Sequence, residues 1–455
     1  VLLKNGLIYR QENGKLKKGD LRISGEKIND ISENISRKNG ERVLDLTGKY
    51  VLPGIIDSHT HFDLRSRGTV SSDDFYKGSI SAAHGGVTSF IDYADQNKDS
   101  LITGIEARMA DACQKTILDY NLHLVINNDF EPEKHLEEIY RLPEMGISSL
   151  KIFTTYQDIY MLDDLKMKRL FEAASKAGLL ITVHAEDNEI ISQNQNNYRN
   201  QDKTDYKYHS QIRPGSSEKE AIEKLAEYAL KSGAKLYIVH LSSKEGYDAV
   251  KEAKEKGVDI KVETTPHYLL LTDKLLEGSA ARYNFMTPPL RKKEDNQALW
   301  QGIMSGDIDV VATDHCAFSP EKKEKGSDVF DTFPGIPGVE TLFSLIYTYG
   351  VENGKINIKR LIELLSHNPA QIFNLYPQKG SLCQGTDADI LVYDPKVERK
   401  LNSKNLHSLA NYTPYEGMRV KGETYLTIVR GQLVIKDGDL VGNRGNGQFV
   451  QAIIR

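Results

Sequence analysis

A chain of 455 residues, 39% hydrophobic and 27% charged, has the make-up of an ordinary globular protein and ample length for a large core. Its 59 basic and 64 acidic residues leave a formal net charge of −5, which offers no electrostatic footprint for nucleic acid or an anionic membrane surface. Cys113, Cys316 and Cys383 are too few and too scattered for a disulfide framework, and no run approaches the roughly 18 apolar residues of a membrane span. A soluble cytoplasmic protein without membrane or nucleic-acid partners is the expectation, and the opening VLLKNGLIYR has neither the apolar stretch nor the cleavage site of a secretory leader.

Residues 1–52 alternate apolar and polar in the manner of short strands, with Asn-Gly and Ser-Gly turns between them. From 53 to 377 the pattern changes. Eight apolar runs, VLPGIID, VTSFIDY, HLVIN, SLKIF, LLITVH, KLYIVHL, DIKVETT and DIDVVATD, alternate with amphipathic stretches such as DDLKMKRLFEAASKAG, which ends at the glycine a helix C-cap favours. Eight strands alternating with helices predict an α/β fold, a TIM-like (β/α)₈ barrel. The polar stretch 187–220, after the fifth run, reads as a long loop. Residues 378–440 return to strand-like alternation (ADILVYDP, YLTIVRGQLVIKDGDLV), and a polar tail fills 441–455. Neither β-rich end supplies enough strands alone, so one small β-sandwich built from both chain ends is predicted. The tail is free in this reading to pack on a neighbouring subunit.

Barrels of this kind carry their chemistry at the C-terminal ends of the strands. There the sequence places His59 and His61 after the first run, Lys151 in the fourth, His184 and His240 at the ends of the fifth and sixth, and Asp314 at the end of the eighth. Two imidazoles at i and i+2 can face one ion, and imidazole with carboxylate suits zinc or a similar first-row metal. Each residue has a plainer reading. A histidine at a strand end is often a satisfied interior group, and Asp314 could simply cap a helix. Lys151 is harder to dismiss: an ammonium inside SLKIF must be paired, neutralised or chemically altered. It is the joint occurrence around one barrel mouth that points to metal.

These residues, with the stretches GIIDSHTHFDLRSRGTVSSDDFYKGSISAAHGGVTSFIDY, SLKIFTTY, ITVHAED, LYIVHLSS, MTPPLR, VVATDHCAF and NPAQIFNLYPQKGSLCQGTDADILVYDP, resemble the amidohydrolase superfamily over essentially the whole chain, and within it the dihydropyrimidinase and D-hydantoinase family. The resemblance implies a cyclic amidase that opens 5,6-dihydropyrimidines or 5-substituted hydantoins to N-carbamoyl amino acids. It implies two divalent ions, zinc by family habit, bridged by a carbon dioxide-derived carbamate on Lys151 (N6-carboxylysine). His59, His61 and Asp314 would hold one ion and His184 and His240 the other, with a hydroxide between them. Asp314 would carry the proton from that hydroxide to the leaving nitrogen, and Tyr156 would donate to the developing oxyanion. By the same resemblance Thr287 and Pro334 clamp the substrate ring, and Leu64, Ser66, Phe153 and Tyr160 wall its exocyclic group. Homotetramers are usual in this branch.

The branch can be argued from departures. Dihydroorotase carries arginine two residues after the second histidine, where this chain has Asp63; a carboxylate there would repel an acidic substrate. Pro334 stands where the family has asparagine, so that contact could only accept a hydrogen bond. Arg65 and Arg67 flank Ser66, either as solvated loop charges or as one contact to a polar substituent. His267 and His315 read as neighbours of the site, not as ligands. Allantoinase on the same scaffold is the first alternative. A non-catalytic scaffold like the collapsin response mediator proteins is the second, and would predict missing ligands.

Overall fold

Each apolar run becomes a parallel strand. In a computed structural model, which describes residues 1–66 and 68–454, these strands are β1 (Ile55–Asp57), β2 (Val87–Asp95), β3 (Asp119–Val125), β4 (Ser149–Phe153), β5 (Leu180–His184), β6 (Lys235–Ile238), β7 (Ile260–Thr264) and β8 (Val310–Val311). They lie side by side in chain order. Helices cover the outer face, which is why the runs are apolar on both sides; every residue of β3 is buried. Inside the ring, Ile56, Ile91, Leu180, Tyr237, Val310 and Ala312 share one apolar cluster. The ring closes where Thr60 bridges His315 beyond the ends of β1 and β8, with the His61 N–H donating to the His315 carbonyl at 2.9 Å.

The segment 187–220 is mostly helical, not a loop. It contains helices Asn188–Asn200 and His209–Ile212 and the start of Gly215–Ser232. Asp187 caps the first by accepting from the Ile190 N–H. That helix buries only Ile191, so it has no apolar stripe to betray its period.

The chain ends meet in one nine-stranded sheet. Tyr50–Pro53 from the N-terminal segment pairs antiparallel with Ile390–Lys400 from the C-terminal one, which sews the two ends together. Leu3, Ile28 and Leu426, from strands far apart in the sheet order, lie in one core, so the sheet curls over itself as a sandwich does. The tail packs on its own barrel: Tyr120 N–H donates to Gln448 O (2.9 Å), Val450 N–H to Tyr120 O (2.8 Å) and Ala452 N–H to Gly146 O (3.0 Å). Val450 and Ala452 join the ring's interior cluster.

Where sheet and barrel meet, an ion cluster is buried. Lys379 Nζ lies 2.5 Å from Asp119, 2.6 Å from Asp389 and 3.0 Å from Asp387. Arg430 also grips Asp119, at the first residue of β3. Among the described residues no helix is long and apolar enough to cross a membrane.

Candidate metal centre

β1 stops at Asp57, and the turn beyond it delivers His59 and His61. The Asp57 carboxylate fixes that turn by accepting from the His59 N–H (3.3 Å), the Thr313 N–H (3.1 Å) and the Thr313 hydroxyl (2.5 Å). Burial pushes the Asp57 carboxyl up to about 6 despite these bonds. Thr313 in turn precedes Asp314, so one carboxylate sets both sides of the seam.

The donor atoms converge in a way that asks for cations. Glu263 accepts from the Ser58 hydroxyl (3.2 Å), the Tyr237 hydroxyl (2.9 Å), the His240 N–H (3.1 Å) and His59 Nδ1 (2.7 Å). A carboxylate taking these four donors puts the His59 proton on Nδ1 and leaves a lone pair on Nε2. That lone pair faces Asp314 Oδ1 at 3.2 Å, and His61 Nε2 approaches the same oxygen at 3.1 Å. The three ligand atoms lie within 4.8 Å of one another. On the other side His184 Nε2 donates to Glu186 (2.7 Å), so its Nδ1 lone pair faces His240 Nε2 at 3.0 Å. His61 Nδ1 and His240 Nδ1 are buried without a hydrogen-bond partner among the described residues. The His59 lone pair opposed to the Asp314 oxygen, and the close approach of imidazole nitrogens within one buried site, fit divalent metal ions between them.

The electrostatics agree. Burial pushes the imidazoles of His61, His184 and His240 below the usual histidine range, toward the neutral ligating form. Burial opposes charge on Asp314, yet His59, His61 and His240 hold its carboxyl well below the usual range. Lys151 is only 1% exposed. Its Nζ sits 5.4 Å from the centre of the Tyr93 ring and 5.1 Å from that of Phe153. Burial lowers its pKa to about 7, against the pull of Asp314 and Glu263.

The backbone is strained at this spot. Tyr156, His240 and Asp314 have φ of 63°, 40° and 50°, left-handed values that non-glycine residues adopt at a cost of order 1 kcal/mol or more. The surrounding bonds hold them there.

A cavity of about 420 Å³ opens over this cluster. Lys151, His59, His61, His184, His240 and Asp314 line it, and so do Tyr156, Thr287, Pro334, Leu64, Ser66, Phe153 and Tyr160. Every residue singled out from the sequence for metal, catalysis or substrate is thus brought together. Arg65 also lines the cavity, whereas Arg67 lies outside the described residues. Asp63 bears on Lys115 at 3.4 Å, so its charge is answered locally and its expected role in repelling acidic substrates loses force. His315 commits both ring nitrogens elsewhere, to Asp73 (3.0 Å) and to the N–H groups of Gly338 and Val339. His267 is buried beside Tyr268, its Nε2 without a partner among the described residues.

Sequence reasoning missed Glu263, Glu186 and Arg213. Glu263 had a signal: it is a carboxylate inside the apolar run DIKVETT, as Lys151 is an ammonium inside SLKIF. Glu186 follows His184 at the i+2 spacing already noticed for the histidine pair.

The sequence matches the model of the Amidohydrolase family over residues 50–434. It is 36% identical to the D-hydantoinase of Geobacillus stearothermophilus, covering 99% of this chain and 96% of that one. It is 36% identical to the D-phenylhydantoinase of Escherichia coli O9:H4 (strain HS), covering 99% and 98%. The structure superposes on the crystal structure of dihydropyrimidinase from Brevibacillus agri NCHU1002 with a TM-score of 0.96 at 33% identity, covering 100% and 98%.

Proposed function

Because the chain belongs to the amidohydrolase family, we propose that it is a metal-dependent cyclic amidase that opens the ring of 5,6-dihydropyrimidines and 5-substituted hydantoins to N-carbamoyl amino acids. Hydrolysis of cyclic amides is the activity its hydantoinase and dihydropyrimidinase relatives share. The observation that carries the reading is the convergence of His59, His61, Lys151, His184, His240 and Asp314 on one cavity.

His59, His61 and Asp314 would hold one divalent ion and His184 and His240 a second, with zinc the best match to the donor set. When bound, such ions supply the Lewis acidity that makes water a nucleophile near neutral pH. Lys151 would serve both halves as a carbamate: carbon dioxide adds to its neutral amine, the N–C bond forming as one C=O π bond opens to a carboxylate oxygen and the N–H proton passing to water, so that an anion replaces an unfavourable buried ammonium. Asp314, beside His59 and His61, takes the proton of the attacking water and returns it to the leaving ring nitrogen. Tyr156 donates its phenolic O–H to the carbonyl oxygen as negative charge grows there. Thr287 and Pro334 hold the ring amide, Pro334 through its carbonyl alone. Leu64, Ser66, Phe153 and Tyr160 surround the exocyclic group.

The test is protein purified without chelator, its metal content measured, and ring-opened product followed with dihydrouracil, 5-substituted hydantoins and allantoin. Turnover of the first two classes is expected. Faster turnover of allantoin would move the assignment to an allantoinase, and metal-loaded protein that opens none of them would overturn it.

A further inference from the structure

Next to the cavity over the candidate metal centre lies a second one of about 330 Å³, and the two share Tyr156, Thr287 and Pro334 in their walls. Arg213 lines the second cavity and is 4% exposed. Its Nε lies 3.1 and 3.0 Å from the two Glu186 oxygens, and its Nη2 lies 2.5 Å from Oε2. That same Oε2 accepts from His184 Nε2. The guanidinium carbon also stands 5.5 Å from the centre of the Tyr156 ring. One buried cation therefore contacts the carboxylate behind a metal-ligand candidate and the face of the residue assigned to the oxyanion.

Its own position is fixed from several sides. The Arg213 carbonyl accepts from Arg291 Nη1, and Arg291 Nε donates to the Ser242 hydroxyl at 3.1 Å. Glu186 is held through its backbone, where its N–H donates to the Thr154 hydroxyl (2.9 Å) and its carbonyl accepts from that hydroxyl (2.8 Å). Thr154 lies two residues before Tyr156, so the carboxylate and the phenol hang from one turn.

We propose that Arg213 is a positioning residue that keeps His184 and Tyr156 in register for ring opening. It acts in two ways. By gripping both Glu186 oxygens it holds that carboxylate against His184 Nε2, which orients the ring with Nδ1 toward the centre. By placing positive charge over the Tyr156 ring it fixes the ring plane and makes the phenolic O–H a stronger donor. The inference rests on the assignments of Tyr156 and His184 made above.

The test is a double-mutant cycle in the metal-loaded enzyme, with Arg213→Gln, Arg213→Lys and Tyr156→Phe, alone and combined, on a 5-substituted hydantoin. Metal content is matched across variants. Arg213→Gln should lower kcat by about 10- to 100-fold while KM moves far less. Arg213→Lys should recover part of the loss, because it keeps the charge without the two-point grip. In the Tyr156→Phe background the Arg213→Gln loss should shrink, since the two act together. Equal losses in both backgrounds, or full kcat in metal-replete Arg213→Gln, overturn the proposal. If Arg213→Gln does not fold or hold metal, the same comparison made with Arg213→Lys decides it. A Tyr156→Phe enzyme with full kcat would sink the Tyr156 assignment and this inference together. Loss of rate in Tyr156→Phe without coupling to Arg213 would sink this inference alone.

Discussion

The two ends of the barrel each bury a lysine and solve the problem in opposite ways. At the N-terminal end Lys379 meets Asp119, Asp387 and Asp389 within 3.0 Å. Burial alone would push its pKa down, but those carboxylates outweigh it and hold the group above the usual lysine range. At the C-terminal end Lys151 faces aromatic rings and histidines, and burial wins, lowering it to about 7. A lysine held by close carboxylates stays a charged clasp, whereas burial without a carboxylate in contact favours the neutral amine that carbon dioxide addition would need. The difference teaches where stability and chemistry reside in this chain.

Substitution can break the contrast. Lys151→Met should abolish metal retention and reduce turnover to background, the largest effect expected. With chelator present its denaturation midpoint should match or exceed that of the parent, because a buried amine has been replaced by an apolar chain. Elemental analysis and a denaturant titration read both outcomes. Lys379→Met should do the reverse. It removes the one cation shared by all three carboxylates and leaves Arg430 on Asp119 and Lys27 on Asp387, so stability should fall by about 3–5 kcal/mol, while kcat per folded, metal-loaded molecule stays at the parent value. A third buried lysine sharpens the comparison. Lys323 is fully buried, donates to the Phe285 carbonyl at 2.9 Å, and is lowered by burial to about 7. That carbonyl also accepts from the Gly335 N–H, so Lys323→Met should cost only about 1 kcal/mol, with metal content unchanged. If Lys323→Met instead lost metal, buried amines in general would matter here and the special place of Lys151 would be gone.

Much of this was legible in the residues. Eight apolar runs gave eight strands because parallel strands covered on both faces read as continuous apolar stretches. The metal-ligand candidates stood out because strand ends converge at the barrel mouth whatever the loops do. The partners of those residues were not legible. Glu263 serves His59 from 204 residues away, and Thr313 serves Asp57 from 256 residues away; no local pattern announces such pairs. The helix Asn188–Asn200 escaped because it buries a single side chain, although Asp187 sits at its start as a capping residue would. The curl of the end sheet was expected from strand counts, but its join between Tyr50–Pro53 and Ile390–Lys400 depends on the barrel bringing the chain ends together.

The seam bridged by Thr60 and His315 has a consequence for biogenesis. Two of the imidazoles leave the ribosome early, and the carboxylate opposite them emerges only after the eighth strand. Until that moment the site proposed for the first ion has only two of its three ligands. Loading of the site proposed for the first ion would therefore wait until the whole ring has been made and closed.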